Sequence, residues 1–96
     1  MEFKGARFDV PDPDKAADNF LKHGVDFDEA ETVFADTLSI TMPDPDHSHG
    51  EERWMMIGLS RKGRLLVVCH TERGELIRIF SARPATRQEK KAYEQA

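Results

Sequence analysis

The chain has 96 residues, 39% of them hydrophobic, with 18 carboxylates against 14 Lys and Arg and a formal net charge of -4. A chain of that length is expected to form one domain, 1–96, burying only about 60 to 65% of its unfolded surface, so a large enclosed cavity is excluded and any site should be an open groove. A lone Cys69 excludes an internal disulfide, and no apolar run approaches the roughly 18 residues of a membrane span, so a cytoplasmic protein with no membrane partner is expected.

In chain order, residues 3–9 read as a weak strand. Asp12 then offers an N-cap before Pro13, whose missing N–H costs nothing at the first helical position. The helix that follows has Ala16, Ala17, Phe20 and Leu21 on one predicted core face, leaves Lys15, Asp18 and Lys22 in solvent, and stops at Gly24. Asp26 and Glu29 have the spacing of a capping-box-like pair and open a second, short helix carrying Phe27, Ala30, Val33 and Phe34. Residues 38–42 alternate like a half-buried strand, and the Pro-rich stretch 43–50 is the main loop.

The runs 54–59, 65–70 and 76–82 are β-rich and joined by Gly-containing turns at 60–64 and 71–75, which predicts a three-stranded antiparallel meander. Thr86 and Glu89 make a second capping box, so a polar helix anchored by Tyr93 begins near Arg87. The expected fold class is α+β: two N-terminal helices, a small antiparallel sheet and a C-terminal helix.

The net charge hides a division. Residues 1–52 hold four Lys and Arg and 14 acids, a net of -10, whereas residues 53–96 hold ten and four, a net of +6. Either the basic half presents a surface to a polyanion, or the two halves simply face each other. Strict alternation along the last strand puts Arg78 on the face of Leu76 and Phe80, and Arg83 on the face of Ile77 and Ile79. A guanidinium held on a rigid strand suits a phosphodiester, and a salt bridge to the acidic half is the competing use. Arg53 opens another strand. Lys22 and His23 end the first helix, where cations also oppose its dipole, and His70 reads as an ordinary strand-end residue.

Asp44, Asp46, His47, His49, Glu51 and Glu52 have metal-ligand chemistry but sit on a loop with no rigid element to fix geometry, so no metal is assigned. Nothing in the chain implies a cofactor: it lacks a Gly-rich phosphate loop, a Cys-x-x-Cys and a nucleophile elbow.

Three segments taken together carry a resemblance: 15–27 with Asn19, Lys22, His23 and Gly24; Glu51-Glu52-Arg53-Trp54 leading to Ile57-Gly58; and 77–86 with the Ser81-Ala82-Arg83 run, followed by Glu89 and Tyr93. Over residues 8–93 the chain resembles the BrnT family of toxins, departing from it in having Val10-Pro11 where an aromatic residue commonly precedes the Asp-Pro. The resemblance implies a ribonuclease toxin of a type II toxin-antitoxin pair with a RelE-like fold. It also implies a BrnA-type ribbon-helix-helix antitoxin in a two-plus-two assembly, an RNA substrate, and DNA contact only through the antitoxin. Under it, Arg53, Arg78 and Arg83 bind phosphate and steady transition-state charge in metal-independent cleavage, Lys22 assists, and His23 or Tyr93 transfers the proton. The alternative is a non-catalytic module whose basic sheet face docks a partner protein.

Overall fold

The computed structural model describes residues 2–3, 6–45 and 52–96. Where one strand over 3–9 is expected, two very short ones occur, β1 (Glu2–Phe3) and β2 (Ala6–Phe8), paired antiparallel. Helix α1 (Pro13–His23) starts as the sequence dictates: the Asp12 side chain accepts the N–H of Asp14 at 2.9 Å, and Gly24 ends the helix at a φ of 69°. Helix α2 (Phe27–Thr32) is capped by Asp26, which accepts the Glu29 N–H at 2.7 Å, and runs into a 3-10 turn at Val33–Ala35. The expected pair is only half a capping box, because the Glu29 carboxylate turns to Arg64 and to the Ser60 hydroxyl instead.

Four strands follow, β3 (Ile40–Pro43), β4 (Trp54–Leu59), β5 (Leu65–Arg73) and β6 (Leu76–Pro84), and then helix α3 (Arg87–Gln95). Among the described residues the sheet order is β1-β2-β6-β5-β4-β3. The meander therefore has four strands rather than three, and the sheet is mixed, since β2 runs parallel to β6 through Arg7–Leu76 and Phe8–Ile77. Strands β5 and β6 also reach further than expected, leaving a two-residue turn at Gly74-Glu75.

Apolar residues cover both faces of the sheet. Val25, Ala30 and Val33 pack with Leu66, Val68 and Ala82 on one side, and Ile57, Val67 and Ala85 pack with Met55 and Tyr93 on the other. The first side continues through an edge-on aromatic chain, Phe8 to Phe34 at 5.1 Å and Phe34 to His70 at 4.9 Å. His70 is buried there, and burial pushes its imidazole pKa below the ordinary value.

Helix α1 overturns its amphipathic reading. Phe20 is 53% and Leu21 82% exposed, while Asn19 is buried. The reason lies in the sheet edge. β2 covers β6 only at Leu76–Ile77, so the outward backbone groups of Ala82 lack a strand neighbour. Asn19 supplies one: its Oδ1 accepts the Ala82 N–H at 3.0 Å and its Nδ2 donates to the Ala82 carbonyl at 2.9 Å and the Val25 carbonyl at 2.8 Å. Leaving such backbone groups buried without partners costs about 1 to 3 kcal/mol each, which outweighs turning one apolar side chain inward. Val10, at the departure from the family pattern, is 86% exposed.

Candidate active site

Strand β6 carries one residue too many for β5. Cys69 pairs with Ser81 but His70 pairs with Ile79, so Phe80 is surplus and forms a β-bulge. Paired residues share a sheet face, so Arg83 (opposite Val67), Ser81 (opposite Cys69) and Arg78 (opposite Thr71) all lie on one side. The opposite-face assignment of Arg78 and Arg83 is thus corrected, because the extra residue shifts the alternation by one step. Arg53 precedes Trp54, which pairs with His70, so Arg53 belongs to the same side as Cys69 and Ser81.

The surplus side chain has a use. The Arg53 guanidinium carbon lies 3.8 Å from the centroid of the Phe80 ring. Cation–π contact of this kind holds a guanidinium flat and leaves its edge for other partners. Among the described residues the buried Nε of Arg53 has no hydrogen-bond partner. Beyond the ring, α1 presents one helical stripe, Lys15, Asp18, Asn19, Lys22 and His23, around a shallow hollow of about 220 Å³ floored by Phe80 and Ser81. The Asn19 bridge to Ala82 orients that stripe, so Lys22 and His23 face the bulge while Phe20 and Leu21 face water.

Arg83 is held differently. Its Nη1 donates to Glu89 Oε1 at 2.7 Å and its Nη2 to Glu89 Oε2 at 2.9 Å. That pairing draws the Glu89 carboxyl down to about 2 and pushes the Arg83 guanidinium pKa up. Burial pushes the neighbouring Cys69 thiol pKa up, so it stays a thiol. Arg78 stands on the other side of the bulge, about a third exposed and 3.8 Å from Asp9, and lines a separate, water-sized hollow with Lys15 and Glu31.

The arrangement therefore brings Lys22, His23 and Arg53 around Phe80, sets Arg83 next along the same face, and leaves Arg78 at the margin. Tyr93 is not part of it. Its hydroxyl donates to Asp36 Oδ2 at 2.7 Å, and the same oxygen accepts the Leu59 N–H at the far end of β4 from Arg53. That bond and partial burial push the Tyr93 pKa up. Sequence reasoning missed Phe80, whose role depends on an unannounced bulge, and Asn19, which a helical wheel marks only as polar. The Arg83 tie to Glu89 was also missed, although the capping box placed Glu89 at the right helix end. Of the loop to which no metal is assigned, residues 46–51 lie outside the described residues. Among the described residues no helix is long and apolar enough to cross a membrane.

Residues 12–89 match a family model described as the ribonuclease toxin BrnT of a type II toxin-antitoxin system. Among solved structures, the chain is similar to the 1.1 Å crystal structure of the Brucella abortus ribonuclease toxin BrnT, with a TM-score of 0.61 and 22% identity over 85% of this chain and 99% of that one. At that identity the likeness speaks for the fold. No curated protein matches the chain. Because the family match covers most of its length, the chain belongs to the BrnT family, endoribonuclease toxins of type II toxin-antitoxin systems, each with a cognate antitoxin.

Proposed function

We propose that this toxin cleaves RNA without a metal, using the guanidinium groups around the Phe80 bulge to bind the scissile phosphate and to stabilise the phosphorane. In such cleavage the 2'-hydroxyl loses its proton as its oxygen attacks phosphorus, the equatorial oxygens gain negative charge, and the departing 5'-oxygen takes up a proton. Arg53 and Arg83 supply donors for the developing charge, with Arg78 and Lys22 contacting flanking phosphate. His23 transfers the proton, because the Tyr93 hydroxyl is committed to Asp36. The observation that carries this reading is Arg53, stacked on Phe80 with a buried Nε that no described group accepts, beside the Lys22 and His23 hollow.

Purified protein is expected to cut a single-stranded RNA equally well with and without EDTA. Arg53→Ala and Arg83→Ala should each lose about 10- to 1000-fold in rate, the scale of one lost transition-state donor. His23→Gln should lose about 100-fold or more, whereas Tyr93→Phe should keep the rate and lower only the melting temperature. Full activity in both arginine variants would defeat the phosphate assignment, and an active His23→Gln beside an inactive, folded Tyr93→Phe would exchange the two proton-transfer roles.

The reading extends to the assembly. The cognate antitoxin is of the BrnA type, with a ribbon-helix-helix region that makes the DNA contacts, in a complex of two toxin and two antitoxin chains in the cytoplasm. The exposed Phe20 and Leu21 beside the basic cluster support a protein partner that covers apolar surface and groove together.

A further inference from the structure

Glu89 does two things at once. As the third residue of α3 its Oε1 accepts the Thr86 N–H at 2.9 Å, while the Thr86 hydroxyl accepts the Glu89 N–H at 3.2 Å, so the carboxylate is fixed by a complete capping box. The same carboxylate takes the two terminal nitrogens of Arg83, and Nη1 has a further bond of 3.3 Å to the Pro84 carbonyl. A guanidinium has two forks, one at its end and one along its side. Glu89 occupies the end fork, and no described residue accepts from the Arg83 Nε, so the side fork of Nε and Nη2 is the one left to a ligand. The Arg83 side chain is 35% exposed, against 19% for Glu89, so the arginine rather than the acid is turned toward solvent.

We propose that Glu89 is a positioning residue for RNA cleavage: held by the α3 cap, it fixes the Arg83 guanidinium plane so that the side fork meets the phosphate in the geometry of the transition state. This rests on Arg83 contacting phosphate, as argued above. The acid also cancels much of the arginine's charge, so the pair adds little to ground-state attraction for RNA. Its contribution lies in orientation, which is felt at the transition state.

The test uses a fluorogenic single-stranded oligoribonucleotide and separates kcat from KM. In Glu89→Gln the amide oxygen can still accept the Thr86 N–H, so the cap survives while the charged hold on Arg83 is lost. The expected result is a fall in kcat of about 10- to 100-fold with KM unchanged or lower, the signature of lost alignment rather than lost binding. Thr86→Ala is the structural reference, since it weakens the same cap but leaves the carboxylate on Arg83; it should lower the melting temperature with little change in kcat. Equal losses of kcat in the two variants would overturn the positioning role, as would full kcat in Glu89→Gln beside an inactive Arg83→Ala. Full activity in Arg83→Ala would instead overturn the phosphate-binding reading beneath it.

Discussion

Two carboxylates, one half-buried and one buried, respond to pH with opposite sign, and each reports a different kind of environment. Glu89 has its pKa lowered to about 2, chiefly by Arg83. A depressed acid contributes stability that is present above its ordinary value of 4.5 and is lost as pH falls from there through about 2. Glu31 is the reverse case. It is buried, its Oε1 has no hydrogen-bond partner among the described residues, and burial followed by the nearby Asp28 charge raises its pKa. A raised acid contributes stability that is present below 4.5 and is lost as pH rises through the raised value. Glu31→Gln should therefore raise the melting temperature at pH 7 and leave it nearly unchanged at pH 4. Thermal unfolding at the two pH values checks this, and an equal shift at both would show that charge burial is not the cause.

At the scale of elements, β4 and the 3-10 turn after α2 approach closely at Gly58. A Cβ built on Gly58 would lie 2.7 Å from Val33 Cγ1 and 3.0 Å from Ser39 Cβ. Both neighbours are fixed, Val33 in the core and Ser39 by the turn around Asp36, so Gly58→Ala should destabilise by about 1 to 3 kcal/mol, the usual cost of overpacking. Urea denaturation of the variant measures it, and a loss below about 0.5 kcal/mol would mean that the turn yields more readily than packing suggests.

Which elements were legible from sequence follows from what sets them. Asp12, Asp26 and Thr86 cap helices through bonds to residues two or three positions away, and all three appear where the sequence puts them. The strands over Trp54–Leu59 and from Leu65 and Leu76 onward start where β-rich composition starts. What escaped was non-local. The parallel pairing of β2 with β6 joins residues nearly 70 positions apart, and the buried face of α1 is decided by Asn19 and Ala82, 63 positions apart. The candidate site divides the same way. Lys22, His23, Arg53 and Arg83 were named from residue type and resemblance, but the meeting of the first three around Phe80 required the bulge, which no local signal in 76–82 marks. Tyr93 was named with them and lies apart, because Asp36 draws its hydroxyl to the far end of β4.

For the whole molecule, the charge division is partly met by ion pairs between the two halves, and partly left to cations with other partners. Arg64 pairs with Glu29 and Arg78 with Asp9, so part of the basic half does face the acidic half. Arg83 pairs within its own half, and Arg53 rests on an aromatic ring. Local cations on one face thus coexist with a net charge of -4. Binding of single-stranded RNA to the His23→Gln protein, expected to cut slowly, should weaken with salt at a slope of log affinity against log salt of about -2, as for some three phosphate contacts. Adding Arg53→Ala should flatten that slope by about 0.7. A slope near zero would show that the overall acidity of the chain, rather than the local cluster, governs its encounter with RNA.

The surplus residue opposite His70 divides β6 into two segments set out of phase with each other. Exchange of a side chain in either segment leaves that phase relation intact, so the strand tolerates substitution one position at a time. Shortening it by the single residue Phe80 would restore regular spacing, leave Arg78 opposite Thr71 and remove the support beneath Arg53, while the hairpin hydrogen bonds could re-form without a gap. Such a deletion would yield a folded protein with its chemistry dismantled, a molecule that an antitoxin could still meet but that RNA would no longer need protection from.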